Sequence, residues 1–125
     1  MSVSGENYLE TIYRLGKENK TVRSIDVAKA LEVSKPSVSR AMGLLKDAGY
    51  IEIPRSGEIS FTKTGLKKAE DLVKKHENIT RFLMMTADVS PETAEKDADS
   101  IKHFIQEETF KGILNFMKQV DEYEE

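Results

Sequence analysis

The residue types able to hold a metal ion or move a proton gather late in the chain. Glu95, Asp99 and His103 recur every four residues, a spacing that places them on one line of a helix face. With His76 reaching across from an earlier segment, that line offers carboxylate oxygens and imidazole nitrogens to a divalent cation. The same line is also what a solvated acidic stripe looks like, and His76 taken alone reads as an ordinary helix histidine. Asp99 with His103 could do general acid–base work. Nothing else assembles around that pair, because the chain has two histidines, no cysteine and no glycine-rich phosphate loop. The expectation is that the protein is not an enzyme.

A second set of chemically useful residues lies in SKPSVSRAM. Lys35, Pro36, Ser37, Ser39 and Arg40 fall on the opposite side of a helical stretch from Val38, Met42 and Leu45. A helix whose first turns offer hydroxyls, a Lys and an Arg suits the major groove of DNA, where such groups donate to phosphates and guanine edges. The alternative at this point is a helical hairpin with a solvated outer face.

The elements that must position these residues follow from local pattern. Glu6–Glu18 reads as a first helix ending near Gly16, with Lys17–Thr21 as a loop. Val22 and Arg23 read as a short extended piece that adds an edge strand. Ser24 is a candidate N-cap for a short helix with Ile25, Ala28, Ala30 and Leu31 at helical spacing. Glu32-Val33 breaks that pattern, Ser34 caps the next helix with Pro36 in its first turn, and Gly49 stops it. Tyr50–Ile53 and Glu58–Phe61 alternate as half-buried strands around the turn Pro54-Arg55-Ser56-Gly57. A hairpin directly after such a helix is a wing, and Arg55 at its tip would reach a phosphate or the minor groove.

Thr62 then caps a long helix whose apolar stripe includes Leu66, Ala69, Leu72, Val73, Ile79 and Leu83. Ser90 and Pro91 begin a helix that runs to about Gln106, with Ala94, Ala98, Ile101 and Ile105 on one face. Thr109–Val120 forms the last helix, carrying Phe110, Ile113, Leu114, Phe116 and Met117, and DEYEE reads as a frayed tail. So much apolar surface on a chain of 125 residues points to a two-fold dimer, which would set two reading helices about one DNA turn apart. The fold class is mainly α with a small β-hairpin: a winged helix-turn-helix over residues 1–64, then an α-helical dimerisation region over 65–125.

Composition narrows the setting. The net charge of −3 is unevenly spread: residues up to Thr64 carry about two more basic than acidic groups, and the remainder about five more acidic than basic. The first part can therefore face DNA while the second pairs with itself or binds cations. The absence of cysteine leaves no disulfide framework and no thiolate metal site. MSVSGENYLE is polar and acidic, unlike a signal peptide, and no apolar run is long enough to span a membrane. The expected location is cytoplasmic.

The chain resembles the iron- and manganese-dependent repressors of the diphtheria-toxin-repressor and manganese-transport-regulator family. The stretches that carry the likeness are ENYLETIYRL, VRSIDVAKALEVSKPSVSRAM, GEISFTKTG, KKHENITRFL and DADSIKHFI, which follow one another along nearly the whole chain. It is similar to the shorter members that lack a barrel-like third domain. The resemblance implies a homodimeric winged-helix regulator, a repressor of metal-uptake or related genes, whose affinity for a DNA operator is switched by a divalent metal. Lys35, Pro36, Ser37, Ser39 and Arg40 fall where that family meets DNA, and residues 65–125 become metal-sensing as well as dimerising.

For the metal, the resemblance implies a ligand set of Glu10, His76, Asp99 and His103. These oxygen and nitrogen donors suit manganese or iron, with zinc or cobalt also accommodated. Two positions depart from the family pattern. Asn7 stands where the family has Asp or Met, and Lys102 stands where it has a ligating Glu. A protonated ammonium cannot be a ligand and repels a nearby cation. One reading makes Lys102 a replacement for the ion, seated among Glu10, Asp99 and Glu95; another points it to solvent beside a reduced metal site. A remaining alternative is a dimeric interaction or sensor protein that no longer binds DNA, against which Lys35, Arg40 and Arg55 argue.

Overall fold

The computed structural model describes residues 1–19 and 21–124. Lys20, in the loop read from the sequence, and Glu125, in the tail, lie outside the described residues. Six helices and one hairpin follow in order: α1 (Val3–Glu18), α2 (Ser24–Leu31), α3 (Lys35–Asp47), β1 (Ile51–Glu52), β2 (Ser60–Phe61), α4 (Lys63–Ala87), α5 (Pro91–Ile101) and α6 (Glu107–Glu124). The mainly helical winged architecture read from the sequence is the one found. The chain divides into two compact units, Met1–Asp71 and Leu72–Glu125.

The first unit is built from local signals that agree with one another. Ser2 caps α1 by accepting from the Gly5 N–H at 3.0 Å, so α1 begins earlier than the sequence reading placed it. It also runs through Gly16 to Glu18. Leu9 and Ile12 of α1, Val27 of α2, Val38, Met42 and Leu45 of α3, and Ile51 and Ile59 of the hairpin close one core. Burying each such side chain contributes on the order of 2 kcal/mol. In α2 the buried residues are Val27 and Ala28, whereas Ile25 and Ala30 face outward, so the stripe read there is shifted. The capping residue is Arg23 rather than Ser24, and its N–H donates to the Asp26 carboxylate at 2.9 Å.

Glu32 ends α2 in the left-handed region, φ 54°, and Ser34 starts α3 by accepting from the Ser37 N–H at 3.3 Å. Gly49, φ 84°, turns the chain out of α3 into the hairpin, a conformation that a residue with a Cβ resists. The strands pair antiparallel with Ile51 opposite Phe61 and Glu52 opposite Ser60, and they are shorter than the alternation suggested. Val22 does not form an edge strand; one ladder-like bond, from the Ile59 N–H to the Val22 carbonyl at 2.8 Å, ties it to β2's approach.

The start of α4 locks this unit. The Thr62 hydroxyl donates to the Gly49 carbonyl at 2.6 Å and lies 3.2 Å from that of Tyr50. It also accepts from the Gly65 N–H at 3.1 Å, the N-cap role read for Thr62. A Cβ built on Gly65 would stand 1.8 Å from the Tyr50 carbonyl oxygen. Only glycine permits that approach.

The second unit packs Ile79 and Leu83 of α4, Ala98 of α5 and Phe110 and Leu114 of α6 together, with Ile105 joining from the connecting turn. Ser90 caps α5 through the Thr93 N–H at 3.2 Å. Phe82 and Phe116 meet edge to face with centroids 5.8 Å apart, and Arg81 pairs with Asp121. Two sequence boundaries are corrected here. α5 stops at Ile101 instead of reaching Gln106, and the DEYEE segment, read as frayed, continues α6 as far as Glu124. No helix among the described residues is long and apolar enough to cross a membrane.

Candidate nucleic-acid interface and metal site

α3 separates its two faces cleanly. Val38, Met42 and Leu45 point into the core, while Lys35, Pro36, Ser37, Ser39 and Arg40 are all exposed. Ser34 takes the N–H groups of Ser37 and Val38, and the positive dipole end of α3 lies beside Lys35, which favours a phosphate. Ser37 has a second duty that its type alone did not reveal: its hydroxyl oxygen accepts from Ser34 at 2.8 Å. It keeps its own hydrogen to donate.

The wing turn closes with the Gly57 N–H donating to the Pro54 carbonyl at 2.9 Å, and Gly57 adopts φ 81°. Arg55 is exposed at this tip. The residue that sequence reasoning missed is Arg23, whose guanidinium donates to the Ser56 carbonyl. It sits on the same unit 33 positions earlier and anchors the turn that carries Arg55. No local pattern announces a contact of that separation.

In the second unit, His76, Asp99 and Lys102 come together. His76 Nδ1 lies 3.4 Å from Asp99 Oδ1. The Lys102 ammonium donates to that same oxygen at 2.9 Å. The Lys102 side chain is 2% exposed, against 66% for Asp99 and 14% for His76. Lys102 forms the C-cap of α5, where a cation also complements the helix dipole. The reading that points Lys102 to solvent is therefore corrected.

The line of Glu95, Asp99 and His103 is corrected as well. α5 ends before His103, which lies in the following turn with its N–H donating to the Ser100 carbonyl at 3.4 Å and its ring 6.4 Å from that of Phe104. Glu95 is exposed one turn before Asp99. Glu10 and Asn7 belong to the first unit. Glu10 Oε2 accepts from Arg14 Nε at 2.9 Å, and Asn7 is exposed, with its carbonyl accepting the Thr11 hydroxyl at 2.8 Å.

Two ligands at about 2.1 Å from one ion stand roughly 3.0–3.4 Å apart, so the His76–Asp99 spacing by itself could suit a metal. The third group on that carboxylate is an ammonium, which has no lone pair to give. Among the described residues, no group of three or more His, Cys, Asp or Glu is placed to hold a metal ion. These residues, as they stand, do not fit a resident metal.

Comparison with known proteins decides the lineage. The model of the iron-dependent repressor N-terminal DNA-binding domain matches residues 1–57, and that of the iron-dependent repressor metal-binding and dimerisation domain matches residues 62–124. The chain belongs to the iron-dependent repressor family. Its members matched here are transcriptional regulators: the transcriptional regulator MntR of Salmonella typhimurium is 34% identical over 115 residues, covering 91% of this chain and 72% of that protein.

Two solved members of the same fold are the manganese regulator SloR, with a TM-score of 0.80 at 24% identity, and T. acidophilum IdeR, with a TM-score of 0.80 at 23%. They cover 91% and 94% of this chain. This chain spans about half their length, 53% and 55%. The iron-dependent repressor DNA-binding model takes in α1 to α3, β1 and the wing turn, and the metal-binding and dimerisation model takes in α4 to α6.

Proposed function

We propose that this chain acts as a homodimeric repressor that docks α3 in the major groove of an operator. Lys35, Ser37, Ser39 and Arg40 would make the contacts, Pro36 would shape the first turn, and Arg55 on the wing would reach the adjoining backbone. The observation that carries this reading is the two-faced α3, with every candidate contact exposed and every third or fourth residue buried behind it. DNA contacts of this kind release counterions, so affinity falls steeply with salt.

Dimerisation is supported by apolar groups that the second unit leaves in solvent. Met84, Met85, Ile101, Phe104 and Phe116 are each at least 36% exposed, Phe104 reaching 71%, which is an expensive surface for a monomer to hydrate. We assign DNA reading to residues 1–64 and dimerisation with signal sensing to 65–125. The effector class that accompanies the family is a divalent transition metal. Manganese or iron is the effector we expect, with zinc or cobalt as alternatives, and an ion would have to displace the Lys102 ammonium from Asp99 to use that carboxylate.

The test is selection of bound fragments from a genomic library, followed by footprinting with and without Mn²⁺ or Fe²⁺. The expected footprint holds two half-sites about one helical turn, or a multiple of it, apart. Recovery of random fragments without a shared half-site would sink the proposal.

A further inference from the structure

We propose that Lys102 is a tethered cation that holds the Asp99–His76 pair in place of a divalent metal, so that this pair does not fit an ion while the ammonium is seated there. The geometry carries the inference. Asp99 Oδ1 is shared between an ammonium at 2.9 Å and an imidazole nitrogen at 3.4 Å. The ammonium cannot swing away at little cost, because its side chain is 2% exposed and leads back into the end of α5. A buried cation must keep anionic or polar partners, and Asp99 is one of them.

A metal entering on Asp99 meets two obstacles. It takes the carboxylate from a buried ammonium, and it places a second positive charge within a few ångströms of the first. Removing only the charge of Lys102 should therefore raise metal affinity, although it adds no ligand. The Asp99–Lys102 pairing also fastens the last turn of α5 to its own preceding turn without an ion. The competition at Asp99 stands on geometry alone, while its consequence for DNA rests on the regulator reading above.

The experiment compares metal-stripped wild type, Lys102→Gln, Asp99→Asn and the double variant. Calorimetry with Mn²⁺ and Co²⁺, the Co²⁺ visible spectrum and metal-induced shifts in thermal melting provide the readouts. Lys102→Gln is expected to bind both ions at least tenfold more tightly than wild type and to gain a larger melting shift. Asp99→Asn in that background should abolish the gain. Equal affinities in wild type and Lys102→Gln, or a gain that survives Asp99→Asn, would overturn the proposal.

Should Lys102→Gln not fold, the single Asp99→Asn variant decides, since Asn keeps an oxygen that can accept from the buried ammonium. Its metal affinity should lie within twofold of wild type, because Lys102 already engages that carboxylate. A tenfold loss would show that metal reaches Asp99 despite Lys102 and would refute the competition. Operator binding is measured in parallel. Absence of DNA binding in every variant would count against the regulator reading, while the calorimetric result would still decide the role of Lys102.

Discussion

The two units place basic side chains in opposite ways. On α3 the Lys and Arg side chains stand in water with their hydrogen-bonding capacity turned outward, while Val38, Met42 and Leu45 of the same helix are buried. In the second unit a lysine is folded inward and committed to a carboxylate and, through it, to a histidine. The first arrangement suits a surface that must meet many phosphates and release them as salt rises. The second suits a site whose occupancy is contested, because a buried charge holds its partners at a high cost of separation. One chain thus carries an open electrostatic surface, to which we assign reading, and a closed one, to which we assign regulation.

The comparison can be broken most severely at Gly65, where α4 meets the hairpin's entry. Gly65→Ala forces a Cβ to within 1.8 Å of the Tyr50 carbonyl oxygen, and the shift needed to relieve it should cost about 3 kcal/mol. Thermal unfolding should show a large drop, with DNA binding lost together with the wing's support. A variant that melts like wild type would mean that α4 can start elsewhere without disturbing the hairpin.

Arg40→Ala comes next. It should cost about 1–3 kcal/mol on a specific operator and much less on random DNA, with the melting temperature unchanged because Arg40 is exposed. Equal losses on both DNAs would reduce Arg40 to a phosphate contact. Arg23→Ala sharpens the same side of the comparison. It removes the donor to the Ser56 carbonyl, and about 1 kcal/mol of wing ordering should go with it. Affinity should fall severalfold by fluorescence anisotropy, and the loss should shrink when Arg55 is already Ala. Additive losses would show that Arg23 does not act through the wing.

The smallest effect belongs to Arg81→Ala. Both side chains of the Arg81–Asp121 pair are about half exposed, so solvent screens them and the change should cost less than about 1 kcal/mol. A larger destabilisation, read from chemical denaturation, would mean that exposed pairs also hold the second unit together.

How much was legible in the sequence divides along the same line. The helix-turn-helix, its wing and the outward set from Lys35 to Arg40 followed from caps, a proline, a glycine and apolar spacing, all of which act over a few residues. Ile25, read as part of the apolar stripe, is exposed and Val27 is buried instead, because a helix of eight residues has too few turns to fix its stripe by periodicity. His103 left the expected line because α5 ended early, and a helix end among well-spaced apolar residues gives no local sign. The Arg23–Ser56 and Lys102–Asp99–His76 contacts depend on which turns and helices meet. Types such as Lys102 could raise the question, and packing had to answer it.

The most direct test of the central claim, that α3 reads DNA sequence, is a pair of anisotropy titrations on a selected operator and a scrambled duplex at one fixed salt concentration, with the metal supplied. Wild type is expected to prefer the operator by on the order of a thousandfold, and Arg40→Ala should erase much of that preference while keeping its affinity for the scrambled duplex. Equal wild-type affinity for both duplexes would contradict the account.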